Sequence, residues 1–130
     1  MAAARDTTVA NIKPLQGAII RRYTAGATLV PGELCSLQSD GKVDPSDSTS
    51  AADGVVGVAL PRENVSSYAD GDSLDVVVFG PVLCLTGATI GAVIYNSTTA
   101  GEPSESGGGN TSIAGYAESA TVLFVSPTPA

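Results

Sequence analysis

The chain has no histidine, no tryptophan, two cysteines and six cationic side chains. Each scarcity removes a chemistry. Without histidine there is no serine–histidine or cysteine–histidine nucleophile system and no histidine-containing zinc site. Cys35 and Cys84 are too few for a thiolate cage. No Gly-rich phosphate loop with its lysine occurs, and no dinucleotide fingerprint; "SGGG" at 106–109 reads as a loop tip. With two Phe and four Tyr as the only aromatics, a core has to come from Val, Ala, Leu and Ile. No stretch approaches a membrane span, and "MAAARDTTVANIKP" holds no apolar run of the secretory kind. The expectation is intracellular synthesis with two buried thiols, a disulfide between neighbouring strands being the lesser alternative.

What is present fits one β domain. The 130 residues bury a real but modest core. Fifteen Gly and eight Pro cut the chain into short pieces, and Val and Thr fill the pieces. The net charge of −7 argues against nucleic acid as a partner, because phosphate binding needs a basic surface. The charge is unevenly placed. Residues 1–22 carry Arg5, Lys13, Arg21 and Arg22 against Asp6, a net +3, whereas the remainder carries Lys42 and Arg62 against twelve acids, a net −10. A basic arm on an acidic body is suited to docking on an acidic neighbour; a solvated tail is the plainer reading.

Residues 1–16 lack periodicity and contain Pro14, so they read as an extended arm. Ile19 to Arg22 open the folded body as a strand. Glu33 to Gln38 form another, turned by Asp40-Gly41 into a short return through Lys42 and Val43. "GVVGVAL" is a strand closed by Pro61, and 62–72 is a longer connection with room for one helical turn. "LDVVVFGPVLCL" then raises a problem. Leu74, Val76 and Val78 lie on one alternating face and Val77 and Phe79 on the other, so both faces need cover. Gly80-Pro81 sits badly inside a central ladder. It fits a corner where one strand passes from one sheet to the next. Strands follow in "GATIGAVIYNS", "IAGYAE" and "ATVLFVS", and "PTPA" ends the sheet. The fold expected is all-β, a small β-barrel or orthogonal β-sandwich, with an arm at 1–16, a β-domain at 17–126 and a tail at 127–130. There is also an internal echo. "GATLVPGELCSL" resembles "GATIGAVIYNS", "VVGVA" resembles "IAGYA", and "LDVVVFG" resembles "ATVLFVS", in the same order, as in a duplicated β unit.

Several features carry weaker signals. Asp40, Asp44, Asp47 and Asp53 form one acidic group and Asp70, Asp72 and Asp75 another, but neither has the calcium-loop pattern, and Asp-Gly is what tight turns use. A carboxylate pair for glycoside hydrolysis has no sugar platform beside it. The sequons at Asn64, Asn96 and Asn110 are what Ser/Thr-rich loops produce by chance. Tyr23, Tyr68, Tyr95 and Tyr116 are natural interface anchors, with core packing the equal alternative for each. Arg5, Lys13, Arg21, Arg22, Tyr23 and Tyr95 are the contact candidates. No catalytic residue, metal or cofactor is expected.

The order "TAGATLVPGELCSL", "GVVGVAL", "LDVVVFGPVLCL", "GATIGAVIYNSTTAGEP", "IAGYAESATVLFVS" resembles the small capsid-decoration, or cement, proteins of tailed bacteriophages over about residues 17–126. The longer loops at 38–54 and 62–72 and the arm depart from that pattern. The resemblance implies a non-enzymatic virion protein on the outer surface of the mature head. It would be made in the host cytoplasm, bind the major capsid protein and assemble as a homo-oligomer, a trimer above all, without nucleic acid or membrane partners. On this reading the arm orders on binding. The competing reading is a viral fibre or spike β-domain that binds a receptor or host glycan; an enzyme with carboxylate chemistry ranks third.

Overall fold

A computed structural model describes residues 3–49, 53–62, 65–107 and 110–128. Asn64, the Gly108–Gly109 tip and the last two residues of the tail lie outside them. The protein is all-β, a curled antiparallel half-barrel sheet. Twelve strands are described: β1 (Ala4–Arg5), β2 (Lys13–Pro14), β3 (Ile19–Thr24), β4 (Leu34–Leu37), β5 (Val43–Pro45), β6 (Val55–Ala59), β7 (Ser73–Leu83), β8 (Leu85–Thr86), β9 (Val93–Asn96), β10 (Pro103–Ser104), β11 (Ile113–Ala117) and β12 (Val122–Thr128). The Asp40-Gly41 turn joins β4 to β5 as expected, closed by the Gln38 N–H donating to the Lys42 carbonyl at 2.8 Å. The 62–72 connection has no helical turn among its described residues; Tyr68 instead bridges back to Leu29.

The main sheet runs β10-β9-β11-β12-β7-β6-β4-β5. That order is the same from either end: β10-β9-β11-β12 repeats β5-β4-β6-β7. The echo in the sequence is therefore an echo in topology. The Gly-centred strands match in detail. A Cβ on Gly57 would sit 2.2 Å from the Val77 carbonyl oxygen, and one on Gly115 would sit 1.9 Å from that of Phe124. Each glycine lets the neighbouring strand's backbone approach too closely for a side chain.

Strand β7 belongs to both halves. Residues 73–79 pair with β3, and Val76 and Val77 also with β6. Residues 80–83 pair with β12, and Val82 and Leu83 also with β2. The partners change at Gly80-Pro81, the corner expected from the sequence, although the strand continues through it. Gly80 has φ +104°, and a Cβ there would lie 2.8 Å from the Gly17 carbonyl oxygen and the Ala18 Cα. Only glycine fits both constraints. A bulge precedes it: Ile19 pairs with Phe79 and Ile20 with Val77, which leaves Val78 as the extra residue.

Two cores result. Leu74 and Val76 enter one, with Leu29, Cys35, Val43 and Tyr68. Val77 and Val82 enter the other, with Leu34, Val58, Cys84, Ile94, Leu123 and Val125. The bulge explains how an odd and an even residue of β7 reach the same core. Cys35 and Cys84 are free thiols in separate cores, so no disulfide joins them. Burial pushes the Cys35 thiol up, and carries Cys84 to about 12. Both are inert, protonated packing groups.

Two expectations need correction. The N-terminal segment does not stand off the body. Ala3 and Ile12 are buried in the second core, β1 pairs with β8, β2 pairs with β7, and Val9–Asn11 forms a 3-10 turn. Two apolar side chains and two short pairings hold it there. The last strand does not end at Ser126: Thr128 still pairs with Ile113. Pro127 is tolerated because the register shifts between Ile113 and Gly115, and a proline at a bulge gives up no ladder bond. Asn96, at the end of β9 and in one of the three sequons, is fully buried. Its amide nitrogen donates to Ser46 Oγ at 3.0 Å, and its Oδ1 accepts from the Ser112 N–H at 2.9 Å.

Gly57→Ala and Gly115→Ala are each expected to lower the unfolding free energy by about 1–3 kcal/mol, the usual cost of overpacking. Urea unfolding followed by circular dichroism checks this; an unchanged midpoint in either variant contradicts the close approach.

Candidate docking surface

The outer face of the β3-β7-β12-β11-β9 region carries a row of apolar side chains with no cover. Ile19 is 54 % exposed, Phe79 46 %, Tyr116 43 % and Val93 40 %. Register puts them side by side: Ile19 opposite Phe79, Pro81 opposite Phe124, Phe124 opposite Tyr116, and Tyr116 opposite Val93. The rings touch. Phe79 meets Phe124 edge-on at 5.3 Å between centroids, and Tyr116 stacks on Phe124 at 5.2 Å. Five strands at the usual spacing make the row about 19 Å wide. The bulge at Val78 creates this face, because it turns Phe79 away from the core that Val77 enters.

A second row lies beside the first on the same face. Lys13 pairs with Leu83, Leu83 with Val122, and the Glu118 N–H donates to the Val122 carbonyl at 2.9 Å. Its middle is apolar, one end is cationic and the other anionic. Lys13 and Glu118 are both exposed. Neither has an ion-pair partner among the described residues, where the ion pairs are Arg5–Glu102, Arg22–Asp75 and Lys42–Asp70.

The six contact candidates scatter. Arg5 is a structural tie: its Nε lies 2.7 Å from Glu102 Oε2, mostly covered. Arg22 is held by Asp75 at 3.1 Å, its cross-strand partner. Tyr23 packs against the first core. Tyr95 is half-buried, with Gly107 against its ring. Lys13 and Arg21 remain exposed along the edge that lines β7. The row itself draws on Ile19, Phe79, Phe124 and Val93, which are not among the candidates. They lie on four strands, and only the register brings them together. Of the four tyrosines, Tyr116 is the exposed one and Tyr68 the most buried, its hydroxyl donating to the Leu60 carbonyl at 2.6 Å.

Other surfaces offer less. A shallow depression of about 270 Å³ is lined by serine, threonine, asparagine and glycine around Ser97 and Ser104. Among the described residues, no group of three or more acids and cysteines is placed to hold a metal ion. Nor, among the described residues, is any helix long and apolar enough to cross a membrane. No protein-family model matches the chain, and no curated protein matches its sequence.

The acidic side of the molecule has a measurable consequence. Burial, then the charges of Asp40, Asp53 and Asp70, raise the Asp44 carboxyl above its usual range. Burial likewise raises Glu33. A carboxyl with a folded pKa above its unfolded one binds protons better in the folded state, so its charge costs stability at neutral pH and the cost fades as pH falls through the raised pKa. The stability contributed by these two sites is therefore expected to rise as pH falls from neutral through the raised pKa values. Asp44→Asn should raise the pH 7 melting temperature and flatten that rise. A variant melting curve that tracks the parent at every pH contradicts the assignment.

Proposed function

We propose that this protein is a structural capsid-decoration (cement) protein of a tailed bacteriophage. It binds the outer surface of the mature head and stabilises the major capsid lattice. The observation that carries the reading is the uncovered apolar face: a small β fold with a coherent ring-stacked row on its surface is built for assembly. The ordered strand motifs that resemble the cement family support it, as does the duplicated sheet that realises them. The protein acts without chemistry. A chain that binds only the assembled lattice stabilises it by mass action, by about 2.7 kcal/mol per site when its free concentration is a hundred times Kd. Many copies act together, so modest affinity per site suffices. On this reading it works as a homo-oligomer, for which the resemblance favours a trimer, with the major capsid protein as its partner.

The test is co-sedimentation of the full chain with mature heads lacking it. Saturable binding, with a higher head-rupture temperature, is expected. A folded chain that leaves expanded heads unbound overturns the reading in favour of a receptor- or glycan-binding module.

A further inference from the structure

The two rows on the bare face have a symmetry that says what covers them. One end of the face is cationic at Lys13 on β2. The other is anionic at Glu118, just past β11. Between them lie Leu83 and Val122, with Phe79, Phe124 and Tyr116 alongside. A surface with opposite charges at its two ends and an apolar middle is complementary to itself, turned end for end. We propose that two copies of this chain pack face to face through this surface, about a two-fold axis running along the strands over the β7–β12 seam, with Lys13 of each copy opposite Glu118 of the other.

The geometry is that of an aligned sandwich of two sheets. Rotation about an axis parallel to the strands keeps each row at its own level and reverses its direction. Lys13 and Glu118 stand three strands apart, about 14 Å, with the axis midway. The turn brings Lys13 over Glu118 twice, as an isologous contact requires. The same turn sets Pro81 over Phe124, the residues of β7 and β12 that stand opposite each other. Sheets packed face to face stand about 10 Å apart, a gap that a lysine and a glutamate reaching from opposite sides can close. The five remaining cations do not compete for this role. Arg5, Arg22 and Lys42 are held in ion pairs, and Arg62 donates to the Ser73 carbonyl and lies over the Tyr68 ring. Arg21 is exposed on the same edge, opposite Val76, beyond both rows.

The pairing deepens the proposed role, in which the chain self-associates, but its face and symmetry are its own. An isologous contact closes at two copies, where the resemblance implies three. The dimer would use the bare face.

Sedimentation equilibrium of the full chain without heads tests the pairing. A reversible dimer is expected, weakened by salt. Lys13→Glu and Glu118→Lys should each weaken it about tenfold, since symmetry makes either change act at two contacts. The double charge swap should restore affinity to within about threefold of the parent. Both side chains are exposed, so circular dichroism should show intact folds. Ile19→Ser adds an uncharged probe of the apolar row and should also weaken the dimer. A monomer at every concentration, a trimer, or a double swap no tighter than the singles overturns the pairing. Head binding by the same variants separates this from the proposed function. A chain that stays monomeric yet binds heads disproves the dimer alone, and a dimer that ignores heads disproves the cement role alone.

Discussion

Everything in this molecule hangs on one strand being shared by two packing units. Strand β7 contributes Leu74 and Val76 to one core and Val77 and Val82 to the other. It manages this because Val78 is bulged out and Gly80 adopts a backbone that other residues resist. Gly80 also lets the Gly17–Ala18 backbone pass within contact of it. Pro81 follows, its carbonyl accepting from the Leu15 N–H at 3.0 Å. The break in an otherwise apolar strand is thus a junction. The last strand of the first repeat runs on through it to pair with the second repeat, and its partners change from β3 and β6 to β12 and β2.

The same junction sets the surface. Once the bulge reverses the alternation, Phe79 and Pro81 join the outer face instead of a core. The Gly115 strand, drawn close to the Phe124 carbonyl, brings Tyr116 onto the Phe124 ring. A core without tryptophan keeps both its phenylalanines in this outer row. That is an expensive arrangement for a chain that acts alone and a sensible one for a chain that assembles. The N-terminal segment completes the edge. Held by Ala3, Ile12 and the Arg5–Glu102 ion pair, it places Lys13 beside Leu83.

Much of the fold was legible in the sequence. The Asp40-Gly41 hairpin, the small-residue strands, the corner at Gly80-Pro81 and the repeat all rest on local composition that the structure keeps. The outer row was not legible, because Ile19, Phe79, Phe124, Tyr116 and Val93 belong to five strands and meet only through register. Nor was the docked arm, since Ala3 and Ile12 are single apolar residues in a polar stretch and show no period. Tyr23 and Tyr116 look alike in sequence, yet one packs on a core and the other stands on the surface; only the face of the strand decides. Asn96 reads as a sequon and is a buried hub joining Ser46 to Ser112, a role set by partners some fifty and sixteen residues away.

The most direct test of this account is native-state hydrogen exchange along β7. If the strand couples the two repeats into one cooperative unit, the amides of Val76, Val77 and Val82 should exchange only by global unfolding, all at the free energy found from urea. Residues 80–83 opening at a clearly lower free energy than residues 73–79 would mean two independent units, and would contradict the shared strand as the organising constraint.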